Sequence, residues 1–297
     1  MNNKNEHSQA TRTAWMAIPL VMLIGAGLAW SGSDTGQLSG GIPIFALGVA
    51  VAFLIQWLVF LPSYMFKTER FFDLTGSITF LSVIGLSLAL SKDPSPRSLM
   101  LFGLIAIWAI RLGSFLYMRI RRAGEDKRFR ELKASFSFFL LTWTLQGLWV
   151  SFSLAAALAA ITTQESKSLG LIGLIGILVW LVGFSFEVIA DQQKSRFKAE
   201  KKNAGKFIQS GLWAWSRHPN YFGEILVWLG IALIAFPVLN GWQYLTLISP
   251  IFVFLLLTRI SGIPMLERNA DEKWGGQGAY EEYKAQTPIL IPRLPKQ

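Results

Sequence analysis

The chemistry in this sequence gathers in three stretches, and the densest is GLWAWSRHPNYFGEILVWLG, residues 211–230. Arg217, His218, Asn220, Tyr221 and Glu224 fall within eight positions there. Pro219 suits the first turn of a helix, where its missing N–H costs nothing. Asn220 and Glu224 then lie one turn apart on one face. The free N–H groups of that first turn follow directly on Arg217 and His218, which suits an anion or the phosphates of a cofactor. The competing reading is an interfacial belt anchored by Trp213, Trp215 and Tyr221, although a belt requires neither Asn220 nor Glu224 beside a His-Pro.

The second stretch pairs Glu187 with Asp191, four residues apart and so on one helix face, with Lys194 and Lys198 continuing that side. It reads either as a helix end dipping into a basic headgroup layer or as one wall of a polar ligand site. The third, RISGIPMLERNADEKWGGQGAYEEYKAQTP from residue 259, carries Arg259, Glu267, Arg268, Asp271 and Trp274 on an amphipathic stretch, with Tyr280 and Tyr283 beyond a Gly-rich turn at 275–278. It is either a solvated helix beside a membrane or a phosphate clamp of two arginines, with Trp274 or a tyrosine covering a ring. Two isolated polar groups, Gln56 and Arg111, fall within apolar runs and require partners or functions there. Asp73 and Thr75 in RFFDLTGSITF predict an N-terminal helix cap.

Several chemistries are excluded. Cysteine is absent, so no disulfide, thiolate nucleophile or Cys-ligated metal is available. With only His7 and His218, a His-rich zinc site is not expected, and no metal is assigned. No Walker motif, GxGxxG fingerprint or GxSxG elbow occurs, which removes a soluble Rossmann-type enzyme.

The elements that must position these groups are apolar helices. Eight apolar stretches lie near 14–30, 42–61, 74–90, 98–118, 136–160, 169–190, 220–237 and 242–260. Most reach the roughly 20 residues that a bilayer-spanning helix needs. The last two are separated by little more than Leu239, Asn240 and Gly241, so they form a tight helical hairpin or a partly re-entrant pair. The fold predicted is therefore all-α, a polytopic transmembrane bundle of about eight spans. The run Thr13–Trp30 before Ser31-Gly32-Ser33 is read as a span rather than a cleavable leader.

Charge agrees with this count. Segment 119–135 holds seven basic and three acidic residues, and 191–217 seven and two, whereas 31–41, 91–97, 161–168 and 238–241 are short and poor in charge. Basic excess on alternate loops predicts both termini on the cytoplasmic side of a cell inner membrane, with soluble ligands met on that face. The net charge of +10 is thus assigned to a membrane face and its anionic lipids, notably at RIRRAGEDKRFRELK, and not to nucleic acid. The 52% hydrophobic content, 15% charged residues and mean hydropathy of +0.42 belong to the same picture. The chain divides into a tail at 1–13, a membrane domain at 14–260 and a polar segment at 261–297 whose prolines argue against continuous helix.

The stretches FFDLTGSITFLS, RLGSFLYMRIRRAGEDKRFRELK, FFLLTWTLQGLWV, FEVIADQQKSRFK, GLWAWSRHPNYFGEILVWLGIAL and the segment from Ser249 to Pro288 resemble the DUF1295 family, over about residues 45–292. That family is related to the C-terminal domain of steroid 5-alpha-reductases and to a wider set of membrane enzymes, including isoprenylcysteine methyltransferases. The resemblance implies a helical membrane fold whose C-terminal half and tail hold a soluble cofactor, NADPH in the reductases and S-adenosylmethionine in the methyltransferases.

In the reductases an Asn-Pro-Asn-Tyr-Phe-Gly-Glu stretch contributes to the NADPH site. Here the matching positions are His218 to Glu224, and the histidine departs from that pattern toward the methyltransferases. Asp191 resembles a reductase acid near the nicotinamide nucleotide. The catalytic Glu expected in the second span is missing, and Gln56 is the nearest polar group, followed by Tyr64.

The leading expectation is an NADPH-dependent reductase of a lipophilic, steroid- or isoprenoid-like enone. Arg259 and Arg268 neutralise phosphates with Lys194 or Arg217. Asp191 and Asn220 orient ribose or amide, and His218, Tyr221, Asp271, Trp274 and Tyr283 complete the cofactor region. Tyr64, Gln56 and Glu224 are the candidate catalytic groups. The alternatives are a lipid or prenyl methyltransferase and a non-enzymatic scaffold or transporter. The oligomeric state is left open.

Overall fold

The computed structural model describes residues 2–125 and 129–295. Asp126, Lys127 and Arg128 of the basic segment, and the side chain of His7, lie outside the described residues. The chain separates into two compact units, residues 1–169 with 235–248, and residues 170–234 with 249–297. Among the described residues, eight helical stretches are long and apolar enough to cross a bilayer, so the protein is a polytopic helical membrane protein.

The first unit contains α1 (Asn2–Gly32), a two-residue hairpin of β1 (Leu38–Ser39) and β2 (Ile42–Pro43), α2 (Ile44–Met65), α3 (Phe72–Leu90), α4 (Pro96–Ala123), the short α5 (Phe129–Leu132) and α6 (Phe136–Thr162). The centre is α6, which contacts α1, α2, α3 and α4. Its run Leu154–Ile161 is wholly buried and mostly alanine, so neighbouring helices approach closely. Gly147 and Gly48 extend this: a Cβ at Gly147 would fall 3.2 Å from the Phe53 backbone, and one at Gly48 would fall 3.0 Å from Leu158. The outer faces carry exposed Leu23, Leu58, Leu61 and Ile107, as lipid contact requires.

The charge-poor loops of this unit meet one another. The Gln37 side chain donates to the Thr163 carbonyl at 2.8 Å and accepts from the Lys92 backbone at 2.7 Å. Arg97 donates to the Ser168 carbonyl at 2.6 Å. The Trp242 backbone donates to Asp34 at 2.8 Å. Gly241 has φ +52°, and a Cβ there would sit 2.2 Å from the Asp34 carboxylate, so only glycine fits this junction. Loops 31–41, 91–97, 161–168 and 238–241 therefore share one end, as alternation of short and long loops demands.

Two helix starts differ in kind. Ser95 caps α4 by accepting from the Ser98 N–H at 3.2 Å, with Pro96 in the first turn. At α3 the cap predicted from Asp73 does not form. The helix begins at Phe72 with Phe71 preceding it, no side-chain cap bond is present, and Asp73 lies inside the first turn. Thr75 bonds back to the Phe71 carbonyl at 2.7 Å, and Asp73 pairs with Arg119 at 3.6 Å. A carboxylate in the first turn still favours the helix through its dipole.

The second unit contains α7 (Gly170–Ala199), most of α8 (Pro219–Ala235) and of α9 (Ile248–Leu255), α10 (Ile263–Trp274) and α11 (Gly278–Gln286). α7 and α8 run antiparallel and touch backbone to backbone at two levels. A Cβ at Gly176 would lie 2.8 Å from the Gly230 carbonyl, and one at Gly183 would lie 2.6 Å from the Gly223 carbonyl. The two levels are seven residues apart on each helix, two turns, so a stripe of small residues sets the interface. The α7 helix continues to Ala199, nine residues beyond the apolar run at 169–190. A π-helical turn, Leu256–Ile260, and a break at Ser261–Gly262 separate α9 from α10.

Candidate functional site

Close contact of α7 with α8 brings the C-terminal end of one beside the N-terminal end of the other. The Asn220 amide donates to the Asp191 carboxylate at 3.3 Å, across 29 residues of sequence. Asp191 and Glu187 are both buried, and Glu224 is half-buried one turn after Asn220. All three acids have interaction partners. One hydrogen bond thus joins two of the stretches singled out in the sequence.

Arg217 and His218 are held just before α8 by the C-terminal segment. Arg217 N–H donates to the Pro288 carbonyl at 2.9 Å, and Arg293 N–H donates to the Trp215 carbonyl at 2.9 Å. The Ser216 hydroxyl accepts from the His218 N–H at 3.1 Å and donates to the Leu290 carbonyl at 2.8 Å. This extended strap, broken from helix by Pro288 and Pro292, fixes the backbone from which both side chains project.

From the facing α10, Glu267 takes both side chains. Its carboxylate lies 2.8 Å from His218 Nε2 and 2.7 Å from Arg217 Nη1. Beside an ionised carboxylate, Nε2 carries the proton, which leaves Nδ1 as an acceptor. His218 is only 4% exposed, and among the described residues its Nδ1 has no hydrogen-bond partner. Arg217 Nε is likewise buried without one, and Nη1, although close to Glu267, lies off the hydrogen-bond axis. Burial holds the His218 pKa below its ordinary value despite the Glu267 contact, and Lys194 and Arg217 push it the same way, so the ring is neutral at pH 7.

These residues line a cleft of about 300 Å³. Lys194, Lys198, Lys206 and Lys273 join Arg217 around it, against the single carboxylate of Glu267. Its apolar walls are aromatic, with Phe207, Trp213, Trp274, Tyr280 and Tyr283 prominent. The tyrosines and tryptophans are anchored by their polar ends. Tyr283 donates to the Trp213 carbonyl at 2.7 Å, Tyr280 to Asp271 at 2.9 Å, and the Trp274 indole to the Gly205 carbonyl at 2.6 Å. Burial first raises the Tyr283 and Tyr280 pKa values, and Asp271 raises that of Tyr280 further, so both remain protonated donors. Lys194 Nζ sits 4.3 Å over the Trp213 ring. The cleft offers cations, flat rings and unused buried polar atoms, which together suit a phosphorylated ligand with an aromatic ring.

Of the residues singled out in the sequence, Lys194, Arg217, His218, Trp274 and Tyr283 line this cleft. Asp191 and Asn220 form their own pair, Tyr221 stacks on His218 with ring centroids 5.8 Å apart, and Asp271 is bonded by Tyr280 and by Lys284 at 2.6 Å. Arg259 and Arg268 are exposed, and neither lines the cleft. In the first unit, Gln56 is fully buried, donating to Thr79 at 2.7 Å, with its Oε1 unpartnered among the described residues. Tyr64 is half-buried, with Lys67 Nζ 3.4 Å over its ring. Arg111 lies 5.3 Å from the Phe115 ring. Sequence reasoning missed Lys206, Phe207 and Lys273. Nothing in their local spacing marks them, because only the tertiary fold faces them toward Arg217.

The protein is thus a polytopic membrane protein with a cationic, aromatic cleft. The chain belongs to the DUF1295 family, described as a protein family of unknown function, which matches residues 59–287. It is 24% identical to an uncharacterized protein of Schizosaccharomyces pombe over 84% of this chain and 80% of that one. It is also similar to 3-oxo-5-alpha-steroid 4-dehydrogenase 1 of Bos taurus, at 26% identity, and of Macaca fascicularis, at 29%. Each of these matches covers 41% of this chain and only 42% and 41%, respectively, of the relative's length. The similarity to the steroid enzymes is therefore partial and distant. No solved structure matches.

Proposed function

We propose that this protein is a membrane-embedded, NADPH-dependent reductase of a lipophilic enone, steroid- or isoprenoid-like in shape. On this reading it sits in a cell inner membrane with both termini in the cytoplasm. The observation that carries it is the charge of the cleft, with five basic side chains around one carboxylate. NADPH presents several phosphate charges and two flat rings, and the residues present fit such a group. S-adenosylmethionine brings a sulfonium cation and no phosphate, so the same charge opposes it. Partial similarity to steroid dehydrogenases supports the reductase reading independently.

Arg217 and the surrounding lysines bind phosphate oxygens, and the unused Arg217 N–H groups become satisfied. Asn220, braced by Asp191, orients a ribose or carboxamide, while Trp274 and Tyr283 cover a ring. Bound NADPH supplies a hydride. A Tyr64 hydroxyl donates to the substrate carbonyl and draws electron density toward its oxygen, and a proton from water completes the reduction.

The test is equilibrium binding of NADPH and of S-adenosylmethionine to the protein purified in mild detergent, and to Asn220→Ala. NADPH should bind the wild type and bind Asn220→Ala about tenfold more weakly, the worth of one hydrogen bond in a charged site. Binding of S-adenosylmethionine alone, or of neither, defeats the proposal.

A further inference from the structure

A second cavity, of about 230 Å³, lies in the first unit where α3 begins and α4 ends, lined by Arg70, Phe71, Tyr117, Ile120, Arg121 and Gly124. We propose that it binds the phosphodiester headgroup of an anionic membrane phospholipid, with an acyl chain lying along the α3–α4 surface. This goes beyond the reductase reading and does not depend on it.

Three observations carry it. The first is charge. Arg70 and Arg121 line the cavity, and Lys67 and Arg122 are exposed close by in sequence. Among the described residues the nearby acids are already engaged: Asp73 pairs with Arg119 at 3.6 Å, Glu69 pairs with Lys133 at 2.7 Å, and Glu125 pairs with Arg130. Neither Arg70 nor Arg121 has an ion pair among the described residues, and the Arg121 guanidinium lies 6.0 Å from the Tyr117 ring, which favours one orientation. Two guanidiniums at one cavity suit a phosphodiester.

The second observation is position. The cavity sits at the ends of two spans, Phe72–Leu90 and Pro96–Arg122, which is where lipid phosphates lie.

The third is the surface leading away from it. Residues seven apart on a helix share a face. Ile78 lies in the second turn of α3, and seven residues back along α4 from Tyr117, on the same face, is Ile110. Ile78 is 48% exposed and Ile110 is 56% exposed. The α3 and α4 helices pack together, so the basic cavity continues into an apolar track running into the span. Soluble phosphate would have no use for that track, whereas an acyl chain buries itself there.

The experiment is native mass spectrometry of the full-length protein released from detergent after exposure to phosphatidylglycerol, phosphatidylcholine or inorganic phosphate. Wild type should retain phosphatidylglycerol at least about fivefold more than phosphatidylcholine. The double variant Arg70→Gln, Arg121→Gln should lose about tenfold of that retention. The control Arg122→Gln should keep most of it, and Ile78→Asn with Ile110→Asn should lower retention while leaving the arginines in place. Circular dichroism of each variant secures its fold, and a misfolded double variant is replaced by Arg70→Lys, Arg121→Lys, for which a several-fold loss is expected because lysine cannot form the fork. Equal retention of the two lipids overturns the proposal. So does unchanged retention in the folded arginine variant, or occupancy by inorganic phosphate that matches phosphatidylglycerol.

Discussion

At the scale of single residues, Arg217 and His218 share Glu267. The Arg217 N–H groups left without hydrogen bonds are donors held ready for an anion, so Arg217→Gln should weaken NADPH about ten- to a hundredfold. Binding should also weaken with added salt, because the surrounding lysines act through screened charge. Isothermal titration at two ionic strengths reads both effects. His218 gives a pH test. Its folded pKa is depressed by burial below the ~6.5 of the unfolded chain. The unfolded state therefore takes up the proton first. Stability from the neutral ring is complete above about pH 6.5 and is lost as pH falls toward the depressed value. Melting temperature in detergent should drop between pH 7.5 and 5.5 for wild type and drop less for His218→Gln, and equal slopes would refute the assignment. Arg217, His218 and Asn220 were legible because a motif concentrates them. Glu267 was visible only as an acid on an amphipathic stretch, since its role depends on two partners 49 and 50 residues away.

At the scale of elements, the stripe Gly176–Gly183 on α7 against Gly223–Gly230 on α8 decides the geometry of Asp191 and Asn220. A branched side chain has no room there, because most of the nearest atoms are backbone and cannot step aside. Gly183→Val should cost about 1–3 kcal/mol of stability or more by overpacking, read as a lower thermal midpoint. It should also weaken NADPH binding by parting the Asp191–Asn220 pair. An unaffected midpoint would mean the two helices do not meet as described. The apolar spans were legible because length and hydropathy dominate a bilayer-crossing helix. The extension of α7 to Ala199 was legible only in the helical spacing of Glu187, Asp191, Lys194 and Lys198, since its final turns are charged and lie beyond the apolar run. The expected Asp73 cap failed for a related reason. Capping depends on where the chain turns, and here it turns two residues earlier than the composition indicated.

At the scale of the whole molecule, composition alone was enough to separate a membrane protein from a soluble one, and alternation of loop charge correctly grouped the four short loops that meet in the first unit. The five cations of the cleft come from three separated segments, so no local pattern announces them. Family membership is firm, whereas the partial similarity to steroid enzymes leaves the reaction to be tested directly. Tyr64→Phe should lower turnover on an enone about 10²–10⁴-fold, the usual weight of one positioned proton donor, while NADPH affinity stays the same. A change in affinity without a change in turnover would remove Tyr64 from the chemistry.

The most direct measurement of the central claim is label transfer. The purified protein, in lipid nanodiscs, is given NADPH carrying deuterium at the transferable position and a panel of lipophilic enones, and the products are read by mass spectrometry. One deuterium is expected on the carbon β to the carbonyl of at least one saturated product, in lower yield from Arg217→Gln at sub-saturating NADPH. Saturated product without deuterium, or no reduced product from any enone while NADPH is demonstrably bound, would contradict it.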